Sequence, residues 1–293
     1  MIICILGPTG VGKTKLSVEL AKKINGEIIN ADSTQVFKNL NIATAKVTKE
    51  EMEDIPHHLF DIKEITDNYT VYDYQKDCRN KIDEIISRKK TPIMVGGTGL
   101  YIKAALYDYK FEEEYCNNAY AGYTTEELYK KLTLVDKNTN IHPNNRKRII
   151  RALNYFDNNN LVFSSKEKTN KLLYDTLFIE LITDRDILYN RINNRVDEMI
   201  KQGLIKEAKE IYNTKVRSKA VMTPIGYKEL FDYFDKKITL DEAIELIKKR
   251  SRHYAKRQIT WNNHQMNTKK FSVNFDDFDE TVKEVLTYIN SVN

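Results

Sequence analysis

Cysteine is scarce in this chain: Cys4, Cys78 and Cys116 are the only three, odd in number and far apart. That excludes a disulfide framework and a cysteine-based zinc site, and leaves reduced, structural thiols. No apolar run is long enough to span a bilayer and the first residues enter a strand at once, so no secretory signal and a cytoplasmic location are expected. No internal repeat or low-complexity linker interrupts the 293 residues, which leaves room for one large domain or two ordinary ones. Charge of one sign is in short supply too. With 47 Lys and Arg against 42 Asp and Glu the net charge is +5, so a nucleic-acid partner requires local clustering of the positive groups. What is present, 41% hydrophobic and 30% charged residues, describes a soluble globular protein with a well-charged surface.

The stretch Gly7-Pro8-Thr9-Gly10-Val11-Gly12-Lys13-Thr14 follows an apolar run, Met1-Ile2-Ile3-Cys4-Ile5-Leu6, and leads into helical apolar spacing at Leu16, Leu20 and Ile24. This is G-x-x-x-x-G-K-[ST] in the strand, loop, helix context of a phosphate-binding loop. Its glycines let the backbone curl so that several N–H groups face one anion. The helix N-terminus adds the positive end of its dipole, and Lys13 adds a point charge. Thr14 is placed to put its hydroxyl on a phosphate-bound magnesium ion. The loop alone does not say which phosphate compound it holds.

Gly26 reads as the stop of the first helix and Glu27-Ile28-Ile29-Asn30 as a second strand. That strand runs into Ala31-Asp32-Ser33-Thr34-Gln35, so Asp32 sits just past a carboxyl strand end, where open parallel sheets bind ligands. Asp32 can equally do no more than cap the next turn. Thr70 opens a helix to about Arg88 with Tyr74, Cys78, Ile82, Ile85 and Ile86 on its apolar face. Pro92-Ile93-Met94-Val95 is a third, fully apolar strand, followed by Gly96-Gly97-Thr98-Gly99. Paired glycines there imply a backbone that approaches something closely, with the Thr98 hydroxyl at the same sheet edge. Three strand ends thus deliver the phosphate loop, Asp32 and Thr98 to one crevice of an α/β fold, a P-loop NTPase-like parallel sheet flanked by helices.

From about Lys110 the character changes. Glu112-Glu113-Glu114 and the Asn- and Tyr-rich run to Tyr123 carry no strand pattern, whereas 125–132 and 145–156 are helical, the second ending in a loop at Asp157-Asn158-Asn159-Asn160. Residues 111–171 therefore read as a small helical insertion domain, between 1–110 and 172–293, the P-loop core domain with C-terminal helices. Lys147, Arg148 and Arg151 share one helix face, either a nucleic-acid contact or a solvated surface. Thr176-Leu177-Phe178-Ile179-Glu180-Leu181-Ile182 returns the chain to the sheet. A helical stretch over 186–212 follows, with Arg185, Arg191 and Arg195 near its start, either lids over a phosphate or solvated arginines. Thr239 has the form of a capping box and starts a helix to about Trp261. Its Lys249, Arg250, Arg252, Lys256 and Arg257, interleaved with His253, Tyr254 and Trp261, suit phosphate contact plus stacking, or a solvated helix with one aromatic anchor.

Taken together the motifs are more specific than any one of them. Gly7 to Thr14, Ala31-Asp32-Ser33, Ala43-Thr44-Ala45-Lys46, Pro56-His57-His58-Leu59, Val95 to Tyr101, His142-Pro143-Asn144-Asn145 with Arg148-Ile149-Ile150-Arg151-Ala152-Leu153, Ile225-Gly226-Tyr227 and Lys256-Arg257-Gln258-Ile259-Thr260-Trp261 follow in this order. From residue 2 to about 262 the chain closely resembles the bacterial tRNA dimethylallyltransferases, also called tRNA isopentenyltransferases. The resemblance implies transfer of a dimethylallyl group from its diphosphate to the exocyclic 6-amino group of the adenine at tRNA position 37. It makes Asp32 the catalytic base, Lys13 and the loop the diphosphate grip with magnesium held partly through Thr14, and Thr98 the residue that orients the leaving group. It assigns tRNA contacts to Asp32, Ser33, Thr34 and Gln35, to Lys147, Arg148, Ile149, Ile150 and Arg151, to Thr223, Gly226, Tyr227 and Lys228, and to Lys256, Arg257, Gln258, Thr260 and Trp261. The implied partners are the anticodon stem-loop of tRNA and dimethylallyl diphosphate, with Mg2+ as cofactor and no membrane, and a clamp of this size can work as a monomer.

Departures from the family pattern carry expectations of their own. Where many members have an arginine lining the diphosphate channel, this chain has none between Arg88 and Arg146, and Lys103, Lys110 or Arg217 is the expected substitute. Asn263 stands in place of a common arginine and Thr223-Pro224 in place of a common Gln-Ala, which implies weaker tRNA contacts there. Two rival functions share the loop. An adenylate isopentenyltransferase uses the same crevice on free AMP, ADP or ATP but needs neither insertion nor basic helix, and a small-molecule kinase would use Asp32 as the base on its phosphoryl acceptor.

Overall fold

A strand that is apolar at every position belongs in a parallel sheet covered on both faces, and β1 (Ile2–Leu6) is buried throughout. The computed structural model describes residues 1–111, 118–165 and 171–292, so Cys116 and Glu112-Glu113-Glu114 lie outside the described residues. After β1 come α1 (Lys13–Lys23), β2 (Gly26–Asn30), α2 (Lys49–Met52), β3 (His57–His58), α3 (Val71–Ser87), β4 (Thr91–Val95) and α4 (Gly99–Leu106). Then follow α5 (Thr125–Val135), α6 (Arg146–Asn159), β5 (Thr176–Ile182), α7 (Arg185–Lys201), α8 (Leu204–Asn213) and α9 (Lys219–Met222). The chain closes with α10 (Tyr227–Phe234), α11 (Leu240–Gln265), β6 (Lys269–Ser272) and α12 (Phe278–Val292). The strands form one six-stranded sheet in the order β3-β2-β4-β1-β5-β6, every pair parallel.

Side chains alternate across the pleat. Ile2, Cys4 and Leu6 enter the core on the side of α3, α4, α8 and α10. Ile3 and Ile5 enter the core shared with α1, α7 and α12. By chain packing, Met1–Tyr107 with Leu172–Asn293 is one compact unit and Asp108–Lys171 a second, whose own core gathers Leu128, Leu132, Ile141, Ile149, Ala152 and Leu153. α3 and α11 begin with Thr capping boxes, Thr70 with Asp73 and Thr239 with Glu242, each satisfying orphan N–H groups at a helix start.

Several boundaries differ from the sequence expectation, each for a local reason. Gly26 is inside β2, and the turn after α1 is made by Asn25 at φ +51°. A Cβ on Gly26 would fall 2.6 Å from the Ile93 side chain, so the glycine serves strand packing. The helical stretch from 186 to 212 is two helices, broken where Gly203 adopts φ +104° and starts α8. α6 continues through Asp157, Asn158 and Asn159 and stops at Asn160 in the left-handed region. Ile86 is 44% exposed rather than part of the α3 core face.

The residues beyond the family motif add β6, which extends the sheet beside β5, and α12. Phe278 at the start of α12 packs beneath the phosphate loop: a Cβ on Gly12 would meet its ring at 2.8 Å, and Lys15 Nζ lies 4.8 Å from the ring centroid. Phe278→Ala is expected to destabilise the fold by about 3 kcal/mol, read as a lower denaturant midpoint at unchanged m-value.

Candidate active site

The phosphate loop is built on three left-handed glycines, Gly7 at φ +135°, Gly10 at +84° and Gly12 at +101°. Gly7 cannot carry a side chain, because its Cβ would stand 2.6 Å from the Leu181 carbonyl oxygen of β5. Lys13 folds back along the loop and donates to the carbonyls of Gly7 at 2.9 Å and Pro8 at 2.8 Å. This leaves one of its three N–H groups for a ligand. Burial first, then the Arg195 charge, push Lys13 down to about 7, while Asp32 opposes the shift. The Thr14 hydroxyl is exposed at the cavity edge and makes no hydrogen bond among the described residues.

Asp32 caps the turn and still reaches the cavity. Its Oδ1 accepts from the Thr34 amide at 2.9 Å and the Thr34 hydroxyl at 2.7 Å, which is the capping role. Its second carboxylate oxygen makes no hydrogen bond among the described residues, and the residue lines the same cavity as Lys13 and Thr98. The backbone beneath it is held by Asn30, fully buried at the end of β2. The Asn30 carboxamide accepts from the Asp32 N–H at 2.8 Å and donates to the carbonyls of Asp32 and Leu59. The motif reading did not single out Asn30; a polar residue directly after the apolar pair Ile28-Ile29 at a strand end was its signal. Thr98 Oγ1 accepts from the Ser33 N–H at 3.1 Å and donates to Ser33 Oγ at 3.2 Å, so the two strand-end turns are joined side by side.

The glycines after β4 make room for the chain itself. A Cβ on Gly96 would lie 2.2 Å from the Ala31 carbonyl carbon, one on Gly97 2.0 Å from Gln258 Nε2, and one on Gly99 2.1 Å from the Trp261 ring. Gln258, expected on the tRNA surface, is buried. Its Oε1 accepts from the Thr9 N–H at 2.8 Å and its Nε2 donates to the Gly97 carbonyl at 3.1 Å, bracing the phosphate loop against the β4 turn. One turn earlier on α11, Tyr254 lines the same cavity, and burial followed by the Asp32 charge raises its pKa. Lys256, Arg257 and Thr260 are exposed on α11, and Arg257 lies over the Tyr254 ring at 5.6 Å.

Two arginines of α7 reach the loop, Arg191 while still exposed to solvent and Arg195 half-buried. Arg191 donates to the Gly10 carbonyl at 3.1 Å and Arg195 to the Thr9 hydroxyl at 3.3 Å. Burial lowers the Arg195 pKa, opposed by Glu51 and Asp32. Both arginines line the cavity beside the loop. Lys103 instead donates to Gln265, Arg217 lies against the Tyr212 and Phe231 rings, and neither lines the cavity. Lys110 belongs to the other unit.

A cavity of about 790 Å³ gathers Thr9 to Thr14 at one side, Asp32 to Gln35 and Thr98 at another, and Arg191, Arg195, Thr223, Tyr254, Arg257 and Trp261 around them. Of the residues assigned to tRNA, Gly226 and Tyr227 are buried behind the wall that Thr223, Pro224 and Ile225 present, and Lys228 is exposed away from the cavity lining. Tyr227 is fully buried and donates to Glu207 at 2.7 Å. Lys147, Arg148 and Arg151 are exposed on α6 and Ile150 is half-buried, but Ile149 is at 0% exposure in the core of the second unit, so its side chain has no surface to offer RNA.

A phosphate cradle with three cations facing a carboxylate inside one cavity, on a parallel P-loop sheet, defines a P-loop group-transfer enzyme. Comparison with known proteins narrows the class. The family model described as IPP transferase matches residues 35–265. The tRNA dimethylallyltransferase of Geobacillus thermodenitrificans is 46% identical over 98% of this chain and 96% of its own length. The solved tRNA isopentenylpyrophosphate transferase of Bacillus halodurans is 41% identical with a TM-score of 0.78, covering 99% of this chain and 95% of that one. A eukaryotic dimethylallyltransferase acting on tRNA is 30% identical with a TM-score of 0.86, covering 99% of this chain and 78% of that one. The chain belongs to the tRNA dimethylallyltransferase family.

The Lys13 environment gives this site a pH signature. Below about 7 the ammonium form prevails; above it the free site holds a neutral amine. An anion stabilises the ammonium, so binding inorganic diphosphate without metal at pH 8 is expected to take up about one proton, with affinity falling up to about tenfold per pH unit above neutrality. Calorimetry in buffers of different protonation enthalpy measures this uptake. Lys13→Arg, charged throughout the range, is expected to abolish that share of it.

Proposed function

We propose that this chain transfers a dimethylallyl group from dimethylallyl diphosphate to the exocyclic 6-amino group of the adenine at tRNA position 37, beside the anticodon, and releases diphosphate. The observation that carries the proposal is the Asp32 carboxylate sharing one cavity with Lys13, Arg191 and Arg195. An aromatic amine is a weak nucleophile, because its lone pair is delocalised. Asp32, with one oxygen pinned by Thr34 and the other unbonded, takes a proton from the amine as its nitrogen bonds the allylic carbon. The carbon–oxygen bond to diphosphate breaks and the electron pair leaves on the bridging oxygen. Loop N–H groups, Lys13 and the two arginines stabilise that developing charge, and Thr98 orients the departing group.

A stacked anticodon-loop adenine cannot reach this crevice without leaving the stack, at a cost of about a few kcal/mol that contacts elsewhere on the RNA must offset. The exposed cations Lys147, Arg148 and Arg151 on α6, and Lys256 and Arg257 on α11, are the groups we assign to those contacts. They also argue against the free-nucleotide reaction, because a mononucleotide needs no such surface.

Magnesium fits this donor set as an ion that arrives with its substrate. Among the described residues no cluster of three or more His, Cys, Asp or Glu could hold a metal, and Thr14 offers one unbonded hydroxyl. Mg2+ commonly takes few protein ligands and completes its shell with phosphate oxygens and water. When bound, it supplies charge neutralisation for the leaving diphosphate. No helix of the described residues is long and apolar enough to cross a membrane, which agrees with a cytoplasmic workplace.

The test is incubation with dimethylallyl diphosphate and an unmodified tRNA carrying that adenine, followed by analysis of the RNA for the isoprenoid. Label on free AMP instead would transfer the assignment to adenylate prenylation. Asp32→Asn is expected to lower turnover by about 10²–10⁴ while leaving tRNA affinity little changed; parallel loss of both would make Asp32 a binding residue. For Arg148→Ala, weaker tRNA affinity is expected, with a salt-dependence slope reduced by about 1, measured by titration across several salt concentrations. An unaltered slope removes Arg148 from the RNA footprint.

A further inference from the structure

The segment between Gln35 and Lys46 contributes Ala43, Thr44 and Ala45 to the cavity, yet has no helix or strand of its own to hold it. Ala45 sits at φ +50°, a conformation a residue with a Cβ adopts only when its surroundings impose it. The turn is closed locally by the Ala45 N–H to the Ile42 carbonyl and the Lys46 N–H to the Asn41 carbonyl, and Lys46 Nζ donates to the Phe37 carbonyl; the start of that turn is held from α8. The Glu207 carboxylate accepts from the backbone N–H groups of Asn41 at 3.1 Å, Ile42 at 2.9 Å and Ala43 at 3.1 Å, and from the Tyr227 hydroxyl at 2.7 Å. Successive amides turned toward one anion make a nest of the kind the phosphate loop offers its ligand, here filled by a side chain of the protein.

The effect reaches Asp32 through a second link. Gln35 Nε2 donates to the carbonyls of Thr44 at 2.9 Å and Ala45 at 3.2 Å, and Gln35 lies in the same turn region as the Asp32–Thr34 hydrogen bonds. On its other side Tyr227 starts α10, directly after Thr223, Pro224 and Ile225, which line the cavity. One carboxylate therefore joins two stretches of the wall on the Asp32 side of the cavity, and it touches neither the phosphate loop nor Thr98.

We propose that Glu207 is a positioning residue for the RNA-receiving wall of the active site, acting by occupying the amide nest of Asn41, Ile42 and Ala43. The RNA part of this inference rests on the functional reading above; the nest itself does not. Glu207→Gln keeps the shape of the side chain but offers one acceptor oxygen where two served, and an N–H2 group that the backbone N–H groups of 41–43, which can only donate, cannot satisfy. Hydrogen exchange in a peptide covering 38–47 is expected to speed up at least tenfold, with peptides from α1 and β4 unchanged. KM for tRNA is expected to rise at least fivefold, with the affinity for inorganic diphosphate unchanged. Tyr227→Phe, which removes only the phenol donor, is expected to shift both readouts in the same direction by less.

Unchanged exchange over 38–47 in E207Q overturns the inference whatever the transfer assay gives. So does a uniform loss in which exchange rises everywhere and diphosphate affinity falls with tRNA affinity, because that describes a fold-stabilising residue. Should the native protein fail to transfer to tRNA, the functional reading falls and takes the RNA half of the proposal with it. Faster exchange confined to 38–47 with an unmoved KM confines Glu207 to the nest and overturns its role toward RNA.

Discussion

Gly96 lies against Ala31 with no room for a methyl group, and that approach sets the geometry on which the site rests. The Ala31 N–H donates to the Val95 carbonyl at 2.8 Å and the Thr98 N–H to the Ala31 carbonyl at 3.1 Å, so the pairing of β2 with β4 continues past both strands into their turns. Neighbouring strands are spaced by about 4.8 Å. Extending the ladder by these bonds puts Thr98 beside Ser33, and Asp32 beside both, without any help from a ligand. β1, the next strand after β4, then delivers the phosphate loop along the same edge. Preorganisation of this kind matters for group transfer because groups already in place are not displaced by the reaction's own charge.

The electrostatics follow from that placement. Lys13, Arg191 and Arg195 stand around the phosphate loop, and burial disfavours the charged form of each. Asp32 and Glu51 offset part of this cost, as their effect on Arg195 shows. The result is a receptor poised for an anion on one side and for an N–H donor on the other. Such an arrangement suits a reaction in which a phosphorylated group departs as a proton is taken up nearby.

The sheet and its crevice were legible in the sequence because they are written locally. Continuous apolar runs mark β1 and β4, a run broken only by Glu180 marks β5, and a glycine-rich motif marks the loop between the first strand and helix. The break at Gly203 was hidden, because apolar residues keep helical spacing on both sides of it and only the backbone reverses. β6 was hidden for the opposite reason: of Lys269-Lys270-Phe271-Ser272 only Phe271 is buried, so an edge strand there has no apolar run to announce it. The longest-range features left no local trace at all. Glu207 meets the 41–43 amides, and Gln258 meets Thr9, across well over a hundred residues, and a lone Glu or Gln on a helix looks like surface. Arg191 and Arg195 were candidates in the sequence, but which of the two readings held was undecidable there, since they reach the loop only once α7 packs beside it.

Because α11 places Gln258 between Thr9 and Gly97, Arg257 at the cavity and Lys256 and Thr260 outside, its short basic motif is a two-sided ruler. Inserting or deleting a single residue between 254 and 261 would rotate the helix surface by about 100° and exchange the inward amide for an outward cation. The inner and outer stripes are therefore inherited as a unit. Reshaping the outer stripe for a different RNA has to proceed by substitution in place, because any change of length would dismantle the catalytic loops from behind.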